Sequence, residues 1–368
     1  MASETIQTIA RLTPLAEVLA LIDREAKPVA PRRIALTQAL HATLSEDVIA
    51  ATRPAAALAL IDGWALNAEL TRDAGSYAPA PLPQMPVRIE AGRPMPDGTD
   101  SVAAFDTVKL TPGGAEALAP VKPGDGVLPA GGDCDVAMPM GRAGERLRAV
   151  DLAALGSAGV SEVSARVPRL RIVPVRLDTI VANAARLIAT DAARCGGAPD
   201  EANGALSEAF FDESADAIVA IGGTGSGRND ASVHTLARAG RLAVHGVALT
   251  PGETAAFGFV GTRPVLLLPG RLDAALAVWL TIGRRMLQRL TAGASDEPTG
   301  TLTLSRKIAS TVGLAEVIPL RRSGGTAEPL AAKYLSLSAL TRSHGWLLVS
   351  ADSEGYSAGA QVEMRPWP

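Results

Sequence analysis

Three scarcities narrow what this chain can be. Two cysteines, Cys134 and Cys195, are too few for a disulfide framework, and four histidines offer no cluster with zinc-site spacing. A reducing, cytoplasmic setting is the expectation. Positive charge is not in excess either. The 35 basic and 38 acidic residues give a net charge of −3, which removes the bulk field that draws proteins to nucleic acid or acidic membranes. No apolar run approaches the roughly 20 residues that span a bilayer, and the opening carries Glu4 and Glu17 with no basic leader ahead of an apolar core. Neither export nor membrane insertion is expected. The partners left are small molecules and proteins.

What is present is ample core. Of 368 residues, 47% are hydrophobic, and at roughly 150 residues per domain the length suggests about two to four domains. Ile6, Ile9, Val18, Leu19 and Ile22 recur at helical spacing, with Thr13-Pro14 as cap and first turn and Lys27-Pro28 as the stop. Leu36, Leu40 and Leu44 share a face and predict a second helix over Thr37–Leu44. From about Val48 to Met140, proline and glycine accumulate around short apolar bursts, the texture of a small β domain. Helical periodicity returns over Arg148–Ala158. An α/β block follows, with strands near Leu170–Val175, Ala217–Ile221, Val244–Leu249 and Val265–Leu268. They alternate with helices over Ala184–Cys195, Ala231–Ala239 and Ala274–Leu290, and such alternation predicts a parallel sheet. Beyond Thr299 the segment reads as a compact β domain.

The densest signal lies between Asp216 and Asp230. An apolar run, Val219-Ala220-Ile221, suits a strand covered on both faces and empties into Gly222-Gly223-Thr224-Gly225-Ser226-Gly227-Arg228. Glycine lets a ligand approach the backbone, so successive N–H groups and a helix start near Asp230 form a concavity suited to phosphate or another oxyanion. A tight turn with no ligand is the competing reading. The glycine spacing is not that of a Rossmann loop, no acid follows at the distance that holds a ribose, and Ser226 lacks the Gly-x-Ser-x-Gly frame of a hydrolase nucleophile.

The ordered series Leu44–Val48, Ile61-Asp62-Gly63-Trp64-Ala65, Ala91–Gly98, Gly131-Gly132-Asp133, Asn183 with Leu187, Gly222–Gly227, Pro251-Gly252 and Leu268-Pro269-Gly270 resembles the MoeA-type molybdopterin molybdenumtransferases, which include the corresponding domain of gephyrin. The resemblance covers nearly the whole chain. It implies a multidomain α/β and β protein with four parts. These are a helical linker (1–47 and 141–166), a β insertion (48–140), a parallel-sheet molybdopterin-binding domain (167–298) and a C-terminal β domain (299–368). It also implies a homodimer, a molybdoenzyme or cofactor-biosynthesis protein as partner, and a reaction: insertion of molybdate into adenylylated molybdopterin with magnesium and release of AMP. The alternative role is binding and delivery of the cofactor without turnover.

Carried over residue by residue, the resemblance makes Asp62, Asp178 and Asp230 the catalytic carboxylates and Asp216, Asp230 and Asp178 the magnesium ligands, oxygen donors being what a hard cation takes. It gives the pterin site to Gly222, Gly223, Thr224, Gly225, Ser226, Gly227, Arg228, Thr250, Pro251, Gly252, Pro269, Gly270 and Arg271. Plain roles compete at several of these positions: Asp62-Gly63 as a turn, Asp230 as a helix cap, Asp216 as a strand start and Asp133 as part of a turn. The chain also departs from the family. Arg176-Leu177-Asp178 stands for Gly-Asp-Glu, Thr250-Pro251-Gly252-Glu253 for Lys-Pro-Gly-Lys, Ala91 for a threonine, Arg271-Leu272 for Asn-Pro and Leu314 for an arginine. A Glu253 carboxylate about 4 Å from a ligand charge would repel it by on the order of 4 kcal/mol at an effective dielectric near 20. Arg176, Arg228 and Arg271, each at the end of a strand or glycine turn, are the candidate replacement cations.

Overall fold

The computed structural model describes residues 7–176, 178–201, 205–294 and 299–368. Ile6 and Leu177, both part of the patterns above, lie outside the described residues. The chain divides into two compact units, one of Met1–Glu46, Ala143–Ala149 and Glu162–Pro368, the other of Asp47–Arg142 and Val150–Ser161.

The smaller unit is built mainly from short strands, as its proline- and glycine-rich texture predicts. Gly63–Leu66 pairs antiparallel with both Val87–Ile89 and Ser101–Ala103, and Gly114–Ala117 pairs antiparallel with Ala80–Leu82 and Val108–Thr111. Leu66, Leu82, Val108 and Ala117 close one small core. Trp64 meets Phe105 edge-on at 5.7 Å, an arrangement the ring quadrupoles favour.

The larger unit is organised by a six-stranded sheet in the order Ala198–Glu201, Arg169–Pro174, Ala217–Ile221, Arg263–Leu268, Ala256–Val260, Arg241–His245. The first four strands run parallel; Ala256–Val260 runs antiparallel to them, and Arg241–His245 antiparallel to Ala256–Val260. Every residue of Ala217–Ile221 is buried, because it lies mid-sheet with helices on both faces. Ile188, Leu266 and Trp279 pack on one side, Phe210, Val233 and Leu267 on the other. From Arg169–Pro174 the chain goes first to the strand on one side and then to the strand on the other. The strand order therefore reverses beside the C-terminal ends of Arg169–Pro174 and Ala217–Ile221, the position where open α/β sheets form ligand crevices.

Several boundaries differ from the sequence reading. The first helix is Leu15–Glu25, entered from Pro14 and burying Leu15, Val18 and Ile22; Ile9 precedes it. Thr37–Leu44 is not a helix. A short 3-10 turn, Leu36–Gln38, leads through His41 in the left-handed region (φ 64) to the strand Thr43–Leu44, which pairs with Glu162–Arg166. The expected strand Val244–Leu249 is two strands, Arg241–His245 in the six-stranded sheet and Val247–Thr250 in a seven-stranded one, broken at Gly246 (φ 93). The last helix of the α/β block runs from Leu272 to Thr291 but widens into a π turn over Trp279–Gly283. A Cβ at Gly283 would lie 2.2 Å from the Trp279 ring. That indole donates to buried Asp191 at 2.7 Å, and Arg284 grips the same carboxylate at 2.7 and 2.8 Å.

The seven-stranded sheet holds the C-terminal strands, with Ala315–Ser323 antiparallel to Gly345–Val349 and Thr326–Pro329. Its edge strand is Thr13–Pro14, which pairs in parallel with Val247–Ala248.

Candidate functional site

Three strands of the six-stranded sheet end at one cavity of about 430 Å³. Arg169–Pro174 delivers Arg176 and Asp178, Ala217–Ile221 delivers Gly222, Gly223, Thr224 and Gly225, and Arg263–Leu268 delivers Pro269, Gly270 and Arg271. Gly252, Glu253 and Thr254 form the facing wall, Asp230 closes one side, and Val181 and Ala274 supply apolar surface. The sequence reading named most of these. Of its pterin-binding residues, Ser226, Gly227, Arg228, Thr250 and Pro251 are not on the cavity wall. Thr250 and Pro251 are buried, whereas Ser226, Gly227 and Arg228 are exposed.

The loop's four glycines are explained without a ligand. Gly222 and Gly223 have φ +103 and +72, and a Cβ at Gly223 would meet the Ser232 hydroxyl at 2.4 Å; at Gly225 and Gly227 a Cβ would lie 2.8 and 3.0 Å from the Asp230 carboxylate. The pointer to a ligand is an asymmetry in hydrogen bonding. Ser232 Oγ donates to the Gly222 carbonyl at 2.8 Å and Ser232 N to the Gly223 carbonyl at 3.0 Å. Gln7 Nε2 donates to the Gly223 and Gly225 carbonyls at 3.0 and 2.8 Å, and His245 Nε2 lies 3.4 Å from the Thr224 carbonyl. The N–H groups of Gly223, Thr224, Gly225 and Ser226 have no acceptor among the described residues. A loop with its carbonyls tied back and four successive N–H groups free is an anion cradle.

The helix start belongs elsewhere. Gln7 Oε1 accepts from Val233 N at 2.9 Å and His234 N at 3.1 Å, so the Ser232–Ala239 helix has its first amides capped by protein and not, as the sequence reading had it, open to phosphate. Nothing in the sequence pattern pointed to Gln7, Ser232 or His245. Gln7 lies 216 residues from Gly223, and only the folded chain brings them together.

Charge around the cavity is mixed. Arg176 and Arg271 are the cations; Asp178, Asp230 and Glu253 are the anions. Arg271 is held in place, with Nε and Nη2 bonded to Asp273 at 3.0 and 2.7 Å and the guanidinium 5.2 Å from the centre of the Tyr334 ring. The Asp273 hydrogen bond leads in raising the Arg271 pKa, against burial, so its charge is fixed. Arg176 pairs with Asp230. Glu253 folds back on its own turn, accepting from the Thr250 hydroxyl and, at 3.1 Å, from Gly252 N. It therefore does not extend freely toward a ligand as the repulsion argument assumed.

The expected magnesium ligands do not assemble. Asp216 is a correction. It sits at the opposite, N-terminal end of Ala217–Ile221, where it accepts from Arg169 N at 2.7 Å and pairs with Arg169 and Arg32. Five residues of strand at roughly 3.3 Å each separate it from the loop. Asp178 caps the Thr179–Arg194 helix through Val181 N at 2.9 Å, and Asp230 binds Arg176 and, at 3.1 Å, Gly227 N. Among the described residues, no group of three or more His, Cys, Asp or Glu side chains could hold a metal ion. The residues present do not fit a resident magnesium site, and no step is assigned to one. Asp62 lies in the smaller unit, where its Oδ1 accepts from Ala91 N at 2.8 Å.

Two family models match in chain order: the MoeA N-terminal region (domain I and II) over residues 13–159, and a probable molybdopterin binding domain over residues 178–289. The chain belongs to the MoeA-type family. A Methanocaldococcus jannaschii protein named for molybdopterin biosynthesis is 30% identical over 159 residues, which is 40% of this chain and 36% of that relative's length. The crystal structure of the molybdopterin biosynthesis moeA protein from Pyrococcus horikoshii OT3 superposes with a TM-score of 0.77 at 21% identity, covering 97% of this chain and 100% of that one. A molybdenum cofactor biosynthesis protein from Pyrococcus furiosus gives 0.61 at 19% identity over the same shares. At those identities the likeness is one of fold. Among the described residues no helix of this MoeA-type chain is long and apolar enough to cross a membrane.

Proposed function

We propose that this MoeA-type protein acts in molybdenum cofactor biosynthesis by binding adenylylated molybdopterin at the 222–225 loop and inserting molybdate into it with release of AMP. The observation behind the reading is the loop itself: four successive N–H groups, from Gly223 to Ser226, with no acceptor among the described residues, beside a guanidinium locked by Asp273 and Tyr334. A ligand phosphate or phosphoanhydride satisfies both. Backbone amides supply directed donors, and Arg271 supplies charge. The apolar wall from Val181 and Ala274 suits the edge of a flat ring system. A cytoplasmic location, a homodimer and Asp62 reaching the site from a partner subunit belong to the same reading as expectations of the family.

A second reading, binding and delivery without turnover, is favoured by the Thr250–Glu253 contact. Where the family pattern has two lysines, this chain has a hydroxyl and a carboxylate that satisfy each other. One pair of measurements separates the readings. Calorimetry with molybdopterin and its adenylate tests binding, and no heat with either overturns both. Molybdate-dependent AMP release tests turnover; a flat trace beside an active family member, with binding intact, leaves the delivery role.

A further inference from the structure

We propose that Gln7 is a positioning residue for the anion cradle: its side-chain amide holds the glycine loop in the conformation that turns its N–H groups toward the ligand. The inference rests on the reading of that loop as the phosphate site.

The geometry is that of a saturated amide. Gln7 is 3% exposed. Its nitrogen donates to two loop carbonyls, Gly223 at 3.0 Å and Gly225 at 2.8 Å, and its oxygen accepts from Val233 N and His234 N at 2.9 and 3.1 Å. Carbonyl and N–H groups of one peptide point in opposite directions. Clamping the Gly223 and Gly225 carbonyls to one side therefore fixes the next N–H groups, those of Thr224 and Ser226, on the other. The carbonyl end of the same amide removes the helix amides as rival donors, so an anion is left with the loop alone.

The segment carrying Gln7 is itself fastened. Ile9 packs where a Cβ at Gly246 would fall within 2.4 Å, Thr13 N donates to the Gly246 carbonyl at 2.9 Å, and Thr13–Pro14 pairs in parallel with Val247–Ala248. Residues 7–14 thus form a strap between the glycine loop and the strand that leads to the Gly252–Thr254 wall. A residue that merely filled space would need neither donors nor acceptors. Gln7 uses both, and only the donor half faces the loop.

That division gives the test. Gln7→Glu keeps two acceptors for Val233 and His234 and loses both donors to the loop; Gln7→Met loses all four bonds without adding charge. Pyrophosphate and molybdopterin binding to the full-length chain are measured by calorimetry, and thermal midpoints are recorded in parallel. The expected result is a fall in affinity of roughly tenfold or more for both variants, with both midpoints lowered, that of Gln7→Glu because its buried carboxylate faces the Gly223 and Gly225 carbonyls. Unchanged pyrophosphate affinity in Gln7→Met overturns the inference, as does an equal affinity loss in Asp216→Ala, a destabilised variant at the opposite end of the strand from the loop. If the parent binds pyrophosphate but not molybdopterin, the functional reading fails while the positioning role stands. If it binds neither, both fall.

Discussion

The Thr250 hydroxyl donates to the Glu253 carboxylate across the Pro251–Gly252 turn, and Gly252 N donates to the same carboxylate. Two departures from the family pattern that look unrelated in sequence are one feature in structure: where that pattern has two lysines, this chain has a hydrogen-bonded, singly negative pair, of which Glu253 lines the cavity and Thr250 lies buried behind it. Glu253→Lys should raise pyrophosphate affinity roughly tenfold, equivalent to about 1.4 kcal/mol, while loss of the turn bonds costs about 1 kcal/mol of stability. Calorimetry and denaturant titration read the two effects separately. Unchanged affinity would mean that the side chain's charge is not sensed at the cradle.

Arg271 is the cation whose orientation is set by the protein. Arg271→Met retains bulk over Tyr334 and removes charge, so anion affinity should fall by about tenfold or more, the scale of a charge-assisted hydrogen bond. Arg228, exposed and off the cavity wall, serves as the control. Equal losses from Arg228→Met and Arg271→Met would contradict the assignment.

Asp216 offers the opposite test. Its carboxylate fastens the N-terminal ends of two strands through Arg169 N and the Arg169 guanidinium. Asp216→Ala should cost about 1 kcal/mol of stability and leave pyrophosphate and molybdopterin affinity unchanged. A specific loss of ligand affinity at constant stability would return this residue to the site.

Acid should weaken the fold through its histidines. Burial, ahead of every other cause, lowers the pKa of His245 below its usual 6.5, where its Nε2 lies 3.4 Å from the Thr224 carbonyl. Burial, with Arg146 and Arg194 nearby, lowers that of His41. A base whose folded pKa is depressed binds its proton more readily when unfolded. Its uncharged form therefore supports the fold fully above pH 6.5, and that support is lost as pH falls from there through the folded pKa. Thermal midpoints should decline below about pH 6.5, and His245→Gln should flatten the decline. A slope identical to the parent's would remove His245 as a contributor.

Much of the α/β block was legible because its signals are local. Val219-Ala220-Ile221 is continuous and apolar because it is covered on both faces, and Lys27-Pro28 marks the end of the first helix because proline cannot continue one; Thr13-Pro14, expected as its cap and first turn, is instead the edge strand that leads into it. Thr37–Leu44 misled because three leucines at a spacing of four suit a helix, yet Leu40 is 47% exposed while Leu44 pairs in a strand. Val244–Leu249 misled because a strand that changes sheets keeps its apolar character, and only Gly246 marks the break. At the site, residues in the glycine motif were readable. Those that orient it were not, since Gln7, Ser232 and His245 act on loop carbonyls that leave no trace in a pattern of side chains. Asp216 was misplaced for a related reason: nearness in sequence to a loop says nothing about which end of a strand a residue occupies.

Gly246 has one more effect. It releases the chain from the sheet that presents the glycine loop and hands it to the sheet that presents the Pro251–Gly252 turn, so the cavity's two walls hang from different β scaffolds. The width of the cleft is consequently an inter-sheet dimension. One core, shared by Leu266 and Leu268 on one side and Val247, Leu249 and Val317 on the other, sets that dimension, and a ligand bridging both walls would act as a rivet between them.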